Sequence, residues 1–376
     1  MNRFTMGALA LLVSACGQAG DAKTNDDLAA STAPVAAAGP AVKSESRTFR
    51  DWYAVCDNGN GCAAYSGGST GWIRIGLDAG PDAAPVIRVG MWPDGDALPG
   101  PIAIVIDGKR HATTPGPDET SSAIVATADA RDVIADLAAG RALNLTAGGQ
   151  SVEIPVTGSS ASLLWIDERQ GRLDTVTALV RRGQKAASTV PTAPALPIVV
   201  AAPAVSQAGF AMAPSTDEDD SHNFVAPAAL EAVPAVKQCR ADTDFNAYIQ
   251  KAVTAARLNA TTELWGVPCD SGAYNVIYQF YLTGPGGTHP RRAVFPGLDG
   301  VVAPLAEGDT DGLINGVYDP ETRTLNAFAK ARGLGDCGVS QTWTWTGQAF
   351  ALSSEQVMSD CWGMVSDFWP TTFRSR

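Results

Sequence analysis

The first sixteen residues, MNRFTMGALALLVSAC from Met1 to Cys16, decide how the rest of the 376-residue chain is to be read. A single basic residue, Arg3, precedes an apolar run through Met6, Ala8, Leu9, Leu11, Leu12 and Val13, and small residues close the stretch. Basic, apolar and small segments in that order are the layout of a secretory signal. The apolar run spans about ten residues, whereas a helix crossing a bilayer needs roughly twenty, so it predicts a leader and not a permanent span. Export places the mature chain where thiols oxidise, and the architecture then follows from its sulfur atoms.

Val13-Ser14-Ala15-Cys16 resembles the bacterial lipobox, in which the cysteine thiol receives a diacylglycerol and becomes the new N-terminus after cleavage. The resemblance implies a lipoprotein signal peptide over residues 1–15 and lipidation at Cys16. Each buried acyl methylene contributes about 0.8 kcal/mol, so several chains together make a firm membrane anchor. Gly17 follows the cysteine where an aspartate would favour retention at the inner membrane, which points to a periplasm-facing lipoprotein of the outer membrane.

Seven cysteines are present, and setting Cys16 aside leaves Cys56, Cys62, Cys239, Cys269, Cys337 and Cys361. An even set in an exported chain predicts a disulfide framework, and six cysteines allow fifteen connectivities. Proximity along the chain suggests Cys56–Cys62, Cys239–Cys269 and Cys337–Cys361. Such local loops would stabilise by about 2 to 4 kcal/mol apiece in the chain-entropy picture. The spacings lack the paired C-x-x-C of a zinc or redox centre.

Length predicts more than one domain, and a hydrophobic fraction of 45% is ordinary for globular material. A net charge of −12 lacks the basic balance that phosphate neutralisation needs, which excludes nucleic acid as an expected partner. The expected class is α+β: two β-rich, disulfide-stapled domains with a few short helices, joined by an Ala/Pro-rich linker. Residues 16–46 are a flexible tether without apolar periodicity. An N-terminal β-rich domain covers 47–183, an Ala/Pro-rich disordered linker 184–236, and a C-terminal α+β domain 237–376. Prolines throughout the linker forbid helix and ladder alike, although Ile198-Val199-Val200 could dock as a short strand.

In the N-terminal domain, Arg50–Cys56 reads as a strand and Asp57-Asn58-Gly59-Asn60-Gly61 as a turn closing on Cys62. Trp72–Leu77 alternates, placing Ile73, Ile75 and Leu77 on one face, and Pro85–Gly90 follows the same period. Asp107-Gly108 marks a tight turn after the apolar run Ile102–Ile106. Asp129–Ala139 carries Val133, Ile134 and Leu137 at helical spacing, with Gly140 as a stop. Leu143–Thr146 and Val152–Val156 flank Gly148-Gly149 as a hairpin, and Ala161–Glu168 and Leu173–Val180 read as two short helices parted by Gly171. In the C-terminal domain, Asp244–Leu258 bears an apolar stripe of period 3.6 and predicts the best-patterned helix of the chain. Tyr274–Leu282, the flanks of Asp319-Pro320 and Thr342–Phe350 predict strands.

FRDWYAVCDNGNGC (residues 49–62), DERQGRLDTVTALVRRG (167–183), GLGDCG (333–338), CWG (361–363) and FWP (368–370) together resemble the bacterial family known as domain of unknown function 1176, over about Thr48 to Phe373. The Trp-x-x-x-Cys start is also similar, more distantly, to invasion-associated locus B proteins, a β-rich periplasmic family. The resemblance implies an envelope protein and brings no catalytic residues.

Four groups of residues carry candidate chemistry. His111, His222 and His289 lack any metal-ligand spacing. Glu307-Gly308-Asp309-Thr310-Asp311-Gly312 alternates carboxylates as a calcium loop does, with Asp309 and Asp311 as candidate ligands, but lacks an EF-hand's distal glutamate. Trp343, Trp345 and Trp362 could form a sugar- or peptide-binding face, with Phe350 and Trp369 nearby. Gly67-Gly68-Ser69-Thr70-Gly71 matches the G-x-S-x-G elbow letter for letter, yet a strand pattern follows where the elbow needs a helix. The resulting expectation is a lipid-anchored, non-enzymatic interaction or structural module with no cofactor, meeting an envelope protein or glycan. The alternative is a hydrolase of an envelope polymer that uses Asp309 and Asp311 as paired carboxylates, or Ser69 as nucleophile.

Overall fold

Alternating apolar side chains build the first sheet, whose central strand buries Ile73, Ile75 and Leu77 on one face and Trp72 on the other. The computed structural model describes residues 42–92, 98–116, 121–208, 224–241, 249–297 and 312–376. Strand outweighs helix, 41% to 16%, so the fold is β-rich with short helices. Residues 38–376 fall into one compact unit.

Strands β1 (Glu45–Phe49), β2 (Trp52–Cys56), β3 (Cys62–Gly68), β4 (Gly71–Leu77) and β5 (Val86–Met91) form an antiparallel meander. Next come β6 (Ala103–Ile106), β7 (Lys109–Ala112), β8 (Thr114–Pro115), β9 (Ser122–Ile124), α1 (Ala130–Ala139), β10 (Leu143–Ala147), β11 (Gln150–Ile154) and α2 (Ser159–Arg169). Sheet one runs β1-β2-β3-β4-β5-β9-β8 and sheet two β11-β10-β6-β7. Their facing sides join α1 and α2 in one core around Trp52, Ile75, Ile104 and Leu145.

Local chemistry explains most of these elements. Asp107 and Gly108 take φ of 46° and 83°, and Gly148 and Gly149 take 50° and 100°, the positive pairs that a two-residue hairpin turn of matching twist requires. Helix α1 buries Val133, Ile134 and Leu137 and ends where the Gly140 N–H turns back to the Leu137 carbonyl. The Leu173–Val180 expectation is corrected: no helix forms there, because the N–H groups of Leu179, Val180 and Arg181 are drawn to the buried Asp167 carboxylate.

The C-terminal half holds α3 (Ala228–Glu231), α4 (Pro234–Ala241), β12 (Thr254–Asn259), β13 (Thr262–Ser271), β14 (Val276–Gly284), β15 (Thr288–Arg292) and β16 (Leu313–Ile314). It closes with β17 (Val317–Asp319), β18 (Thr324–Lys330), β19 (Gly338–Trp345), β20 (Phe350–Met358) and β21 (Thr371–Arg374). Sheet three runs β12-β13-β14-β15 with β16 on β14, and sheet four β17-β18-β19-β20-β21. The long helix expected over Asp244–Leu258 is also corrected. Residues 242–248 lie outside the described residues, Ile249–Lys251 is a single 3-10 turn, and from Thr254 the chain pairs with β13. Ala256 and Leu258 both face inward, a spacing of two that the helical stripe had absorbed.

Sheet one and sheet four share a third core, in which Val55, Ala63, Tyr65 and Trp72 meet Met358, Met364, Phe368 and Trp369. The two expected halves therefore meet through a buried layer. The Ala/Pro-rich stretch, read as a disordered linker, is seated on the fold wherever it is described. The Val199 N–H donates to the Arg376 carbonyl at 2.9 Å and the Ala202 N–H to the Trp345 carbonyl at 2.9 Å. Val190 and Ala202 are buried, and residues 228–236 supply α3 and the start of α4. Prolines prevent a continuous ladder here, so the segment is held by isolated backbone bonds and burial of small side chains.

Disulfides join Cys56–Cys62, Cys239–Cys269 and Cys337–Cys361. The first pins the β2–β3 hairpin, the second ties α4 to β13, and the third closes the loop after β18 onto the segment before β21. Alkylating the denatured, unreduced chain should therefore label none of these six sulfurs, and prior reduction should add six labels by intact mass.

Candidate functional site

Where β4 and β5 pass beneath the C-terminal segment, a cleft of about 320 Å³ opens between sheet one and sheet four. Arg74 and Arg88 form its floor. Along β4 the face opposite Ile73, Ile75 and Leu77 carries Trp72, Arg74 and Gly76, so the alternation that builds the core also turns Arg74 toward the covering layer. A Cβ at Gly76 would stand 2.6 Å from Arg74 Nη1, so the guanidinium lies along the backbone that glycine leaves bare. Arg74 and Arg88 are direct partners across the β4–β5 ladder. Like charges in that position repel.

Among the described residues the guanidinium of Arg74 has no hydrogen-bond or ion-pair partner, and its Nε is shut off from solvent. Burial, and secondarily the Arg88 charge, push its pKa down to about 10, which leaves it a cation at neutral pH. The Arg88 guanidinium rests 4.7 Å from the centre of the Phe368 ring, a cation–π contact with the 3-10 turn that roofs the cleft.

At one end Arg374 of β21 meets Asp57 at 2.7 Å, while the same carboxylate accepts the N–H groups of Gly59 and Gly61 at 2.7 and 2.9 Å. Asn58 adds a reciprocal pair with the Arg374 backbone, accepting its N–H at 2.8 Å and donating to its carbonyl at 2.9 Å. Burial holds the Asp57 carboxyl above the usual carboxylate range, with Arg374 and the two N–H groups opposing it. Asp57 and Arg374 are thus committed to each other, and Asp78 stands at the rim with its side chain 81% exposed. Beside the cleft Tyr53 stacks on Tyr65 at 5.6 Å, and half-buried Trp362 meets the two rings tilted at 5.7 Å and edge-on at 6.1 Å. Burial raises the pKa of the Tyr65 hydroxyl and, with Asp360 contributing, that of Tyr53.

The residues singled out in the sequence lie elsewhere. Trp343 and Trp345 are each 1% exposed, packed in the core between sheets three and four. Their indoles therefore do not offer open rings, and half-buried Trp362 packs against Tyr53 and Tyr65. Ser69 occupies the exposed turn between β3 and β4, with a strand on each side instead of the helix that a nucleophile elbow requires. His111 is buried with Nε2 2.9 Å from the Asp136 carboxylate of α1, and His289 is exposed on β15. Asp309, Asp311 and His222 lie outside the described residues, as does Cys16. Among the described residues the one cluster with metal-ligand spacing is Asp336, Cys337 and Cys361. It has no free ligands, since the sulfurs are bonded to each other and Asp336 binds Arg332 at 2.5 Å and the Gly363 N–H at 2.6 Å.

Sequence reasoning placed Ile73, Ile75 and Leu77 on one face and stopped there. The available signal was the other face, where a tryptophan, an arginine and a glycine alternate at Trp72, Arg74 and Gly76.

No solved structure matches the chain. It is similar to the "Uncharacterized protein YpfG" of Escherichia coli K12, with 28% identity over 344 residues that cover 88% of this chain and 93% of the relative. The family described as "Protein of unknown function (DUF1176)" matches residues 46–376, from the first strand to the last residue of the described fold, and the chain belongs to that family.

Proposed function

We propose that the chain is a lipid-anchored protein of the bacterial envelope that works by binding, without catalysis, through the cleft floored by Arg74 and Arg88. Residues 1–15 direct export, acylated Cys16 holds the chain on the periplasmic side of the outer membrane, and an envelope protein or glycan carries the group that the cleft receives. The observation that carries this reading is a charged side chain turned into a cleft with no protein partner, since a buried charge is costly unless something pairs with it. Three closed disulfides support an oxidising address. Among the described residues no helix is long and apolar enough to cross a membrane. The hydrolase alternative loses support at Ser69, which lies in a hairpin turn.

Cells fed a palmitate analogue should label the wild-type chain and leave Cys16→Ala unlabelled and released from the membrane fraction. Equal labelling of the two, or membrane retention of the unlabelled variant, overturns the anchor.

A further inference from the structure

We infer that the cleft between sheets one and four is a site for a small oxyanion, a phosphate or carboxylate group, held between the guanidinium groups of Arg74 and Arg88. This deepens the binding reading above and rests on it. Two arginines stand in direct register on adjacent strands, where like charges repel and the attraction of the rim carboxylate Asp78 for Arg74 is a smaller, solvent-exposed contribution. Asp57, the buried acid within reach, is taken by Arg374 and two backbone N–H groups. Asp78 and Asp367 sit exposed at the rim, where water screens them. The floor therefore keeps a net positive charge in a partly desolvated place.

Gly76 leaves the path that the Arg74 side chain follows, and the Phe368 ring holds Arg88 from above. Both forks are thus positioned by the fold before any ligand arrives. A guanidinium presents parallel N–H donors that match the two oxygens of a carboxylate or phosphate, so two of them can clasp one such group. Leu77, Val86 and Phe368 line the remaining wall, and a volume of about 320 Å³ admits the anionic head together with a small apolar body.

The test uses the full chain, purified from membranes in detergent and kept in phosphate-free buffer at constant ionic strength. Sodium phosphate and sodium acetate are titrated separately, with sodium chloride as the reference, and both the thermal midpoint and the heat of binding are followed. Wild type should respond saturably to phosphate, to acetate or to both, and the responding anion identifies the head group. In Arg74→Leu and in Arg88→Gln that response should weaken at least tenfold.

Without anions Arg74→Leu should melt no lower than wild type, because it removes a half-buried cation that has no hydrogen-bond or ion-pair partner. A purely structural arginine would give the opposite result. Should Arg74→Leu fail to fold, Arg88→Gln decides the inference, and an anion response equal to that of wild type overturns it. Absence of a saturable response to either anion in wild type, or equal responses in wild type and variants, also overturns it. None of these outcomes bears on Cys16 labelling, so failure of the anion site and failure of the anchor are read separately.

Discussion

Asp167→Ala should lower the free energy of unfolding by about 3 to 5 kcal/mol, since each buried donor left without a partner costs about 1 to 3 kcal/mol. The carboxylate is fully buried at the end of α2 and accepts the N–H groups of Leu179, Val180 and Arg181 at 2.7, 2.9 and 3.3 Å. Next to it Arg172, also fully buried, donates to the Gln170 side chain, the Thr177 hydroxyl and the carbonyls of Asp78 and Gly80. Alanine would strand three donors and remove the charge that offsets Arg172. Urea unfolding followed by circular dichroism measures the loss, and a variant within about 0.5 kcal/mol of wild type, the range of neutral surface changes, would sink this account.

Asp167→Asn should lose less, because one acceptor oxygen remains. Its deficit should also depend on pH in a defined direction. Burial holds the Asp167 carboxyl above the usual carboxylate range, against the pull of its three N–H donors. The folded chain therefore binds that proton more tightly than the unfolded chain, and the ionised carboxylate weighs against folding above its raised folded value. As pH falls through that value the wild type gains relative to the asparagine variant. The deficit should be larger in mild acid than at neutrality.

Trp343→Ala should cost about 3 to 5 kcal/mol, the range for deleting a buried large aromatic side chain. The ring is 1% exposed, meets Phe295 edge-on at 5.3 Å, and its indole N–H donates to the Pro296 carbonyl at 2.7 Å. Its loss opens a cavity between sheets three and four and orphans that carbonyl together. A thermal melt checks the prediction. A binding-surface tryptophan would behave differently: the alanine variant would melt with wild type and lose only affinity for a ligand.

The family motifs take on structural roles in the fold. DERQGRLD supplies Asp167, Gln170 and Arg172, which knit residues 171–181 to the end of β4. GLGDCG and CWG meet at the Cys337–Cys361 bridge, where Asp336 holds Arg332 and the Gly363 N–H. FWP supplies Phe368 over Arg88 and Trp369 in the shared core. FWP touches the cleft through Phe368, and FRDWYAVCDNGNGC through Asp57, Gly61 and Cys62.

Features set by neighbours in the chain were legible without coordinates. The Cys56–Cys62 hairpin, the turns at Asp107-Gly108 and Gly148-Gly149, and the helix ending at Gly140 each depend on the φ a few residues can adopt and on hydrogen bonds within a turn. The cysteine pairs belong here too, since each closes a short loop. Apolar periodicity was less secure where two periods overlap, as at Thr254–Asn259, because strand pairing with β13 supplied hydrogen bonds that the isolated segment could not reveal.

Which face of a strand is covered, and by what, was decided only when distant segments came together. Trp343 could be core or contact surface until Phe295 and Pro296 closed over it, and Arg74 looked like an ordinary outward residue until β21 and Phe368 roofed it. Local sequence determines backbone geometry because turns and short loops are governed by sterics within a few residues. The environment of a side chain is a property of whatever packs against it, and Phe368 stands nearly three hundred positions from Arg74, while Pro296 stands 47 from Trp343.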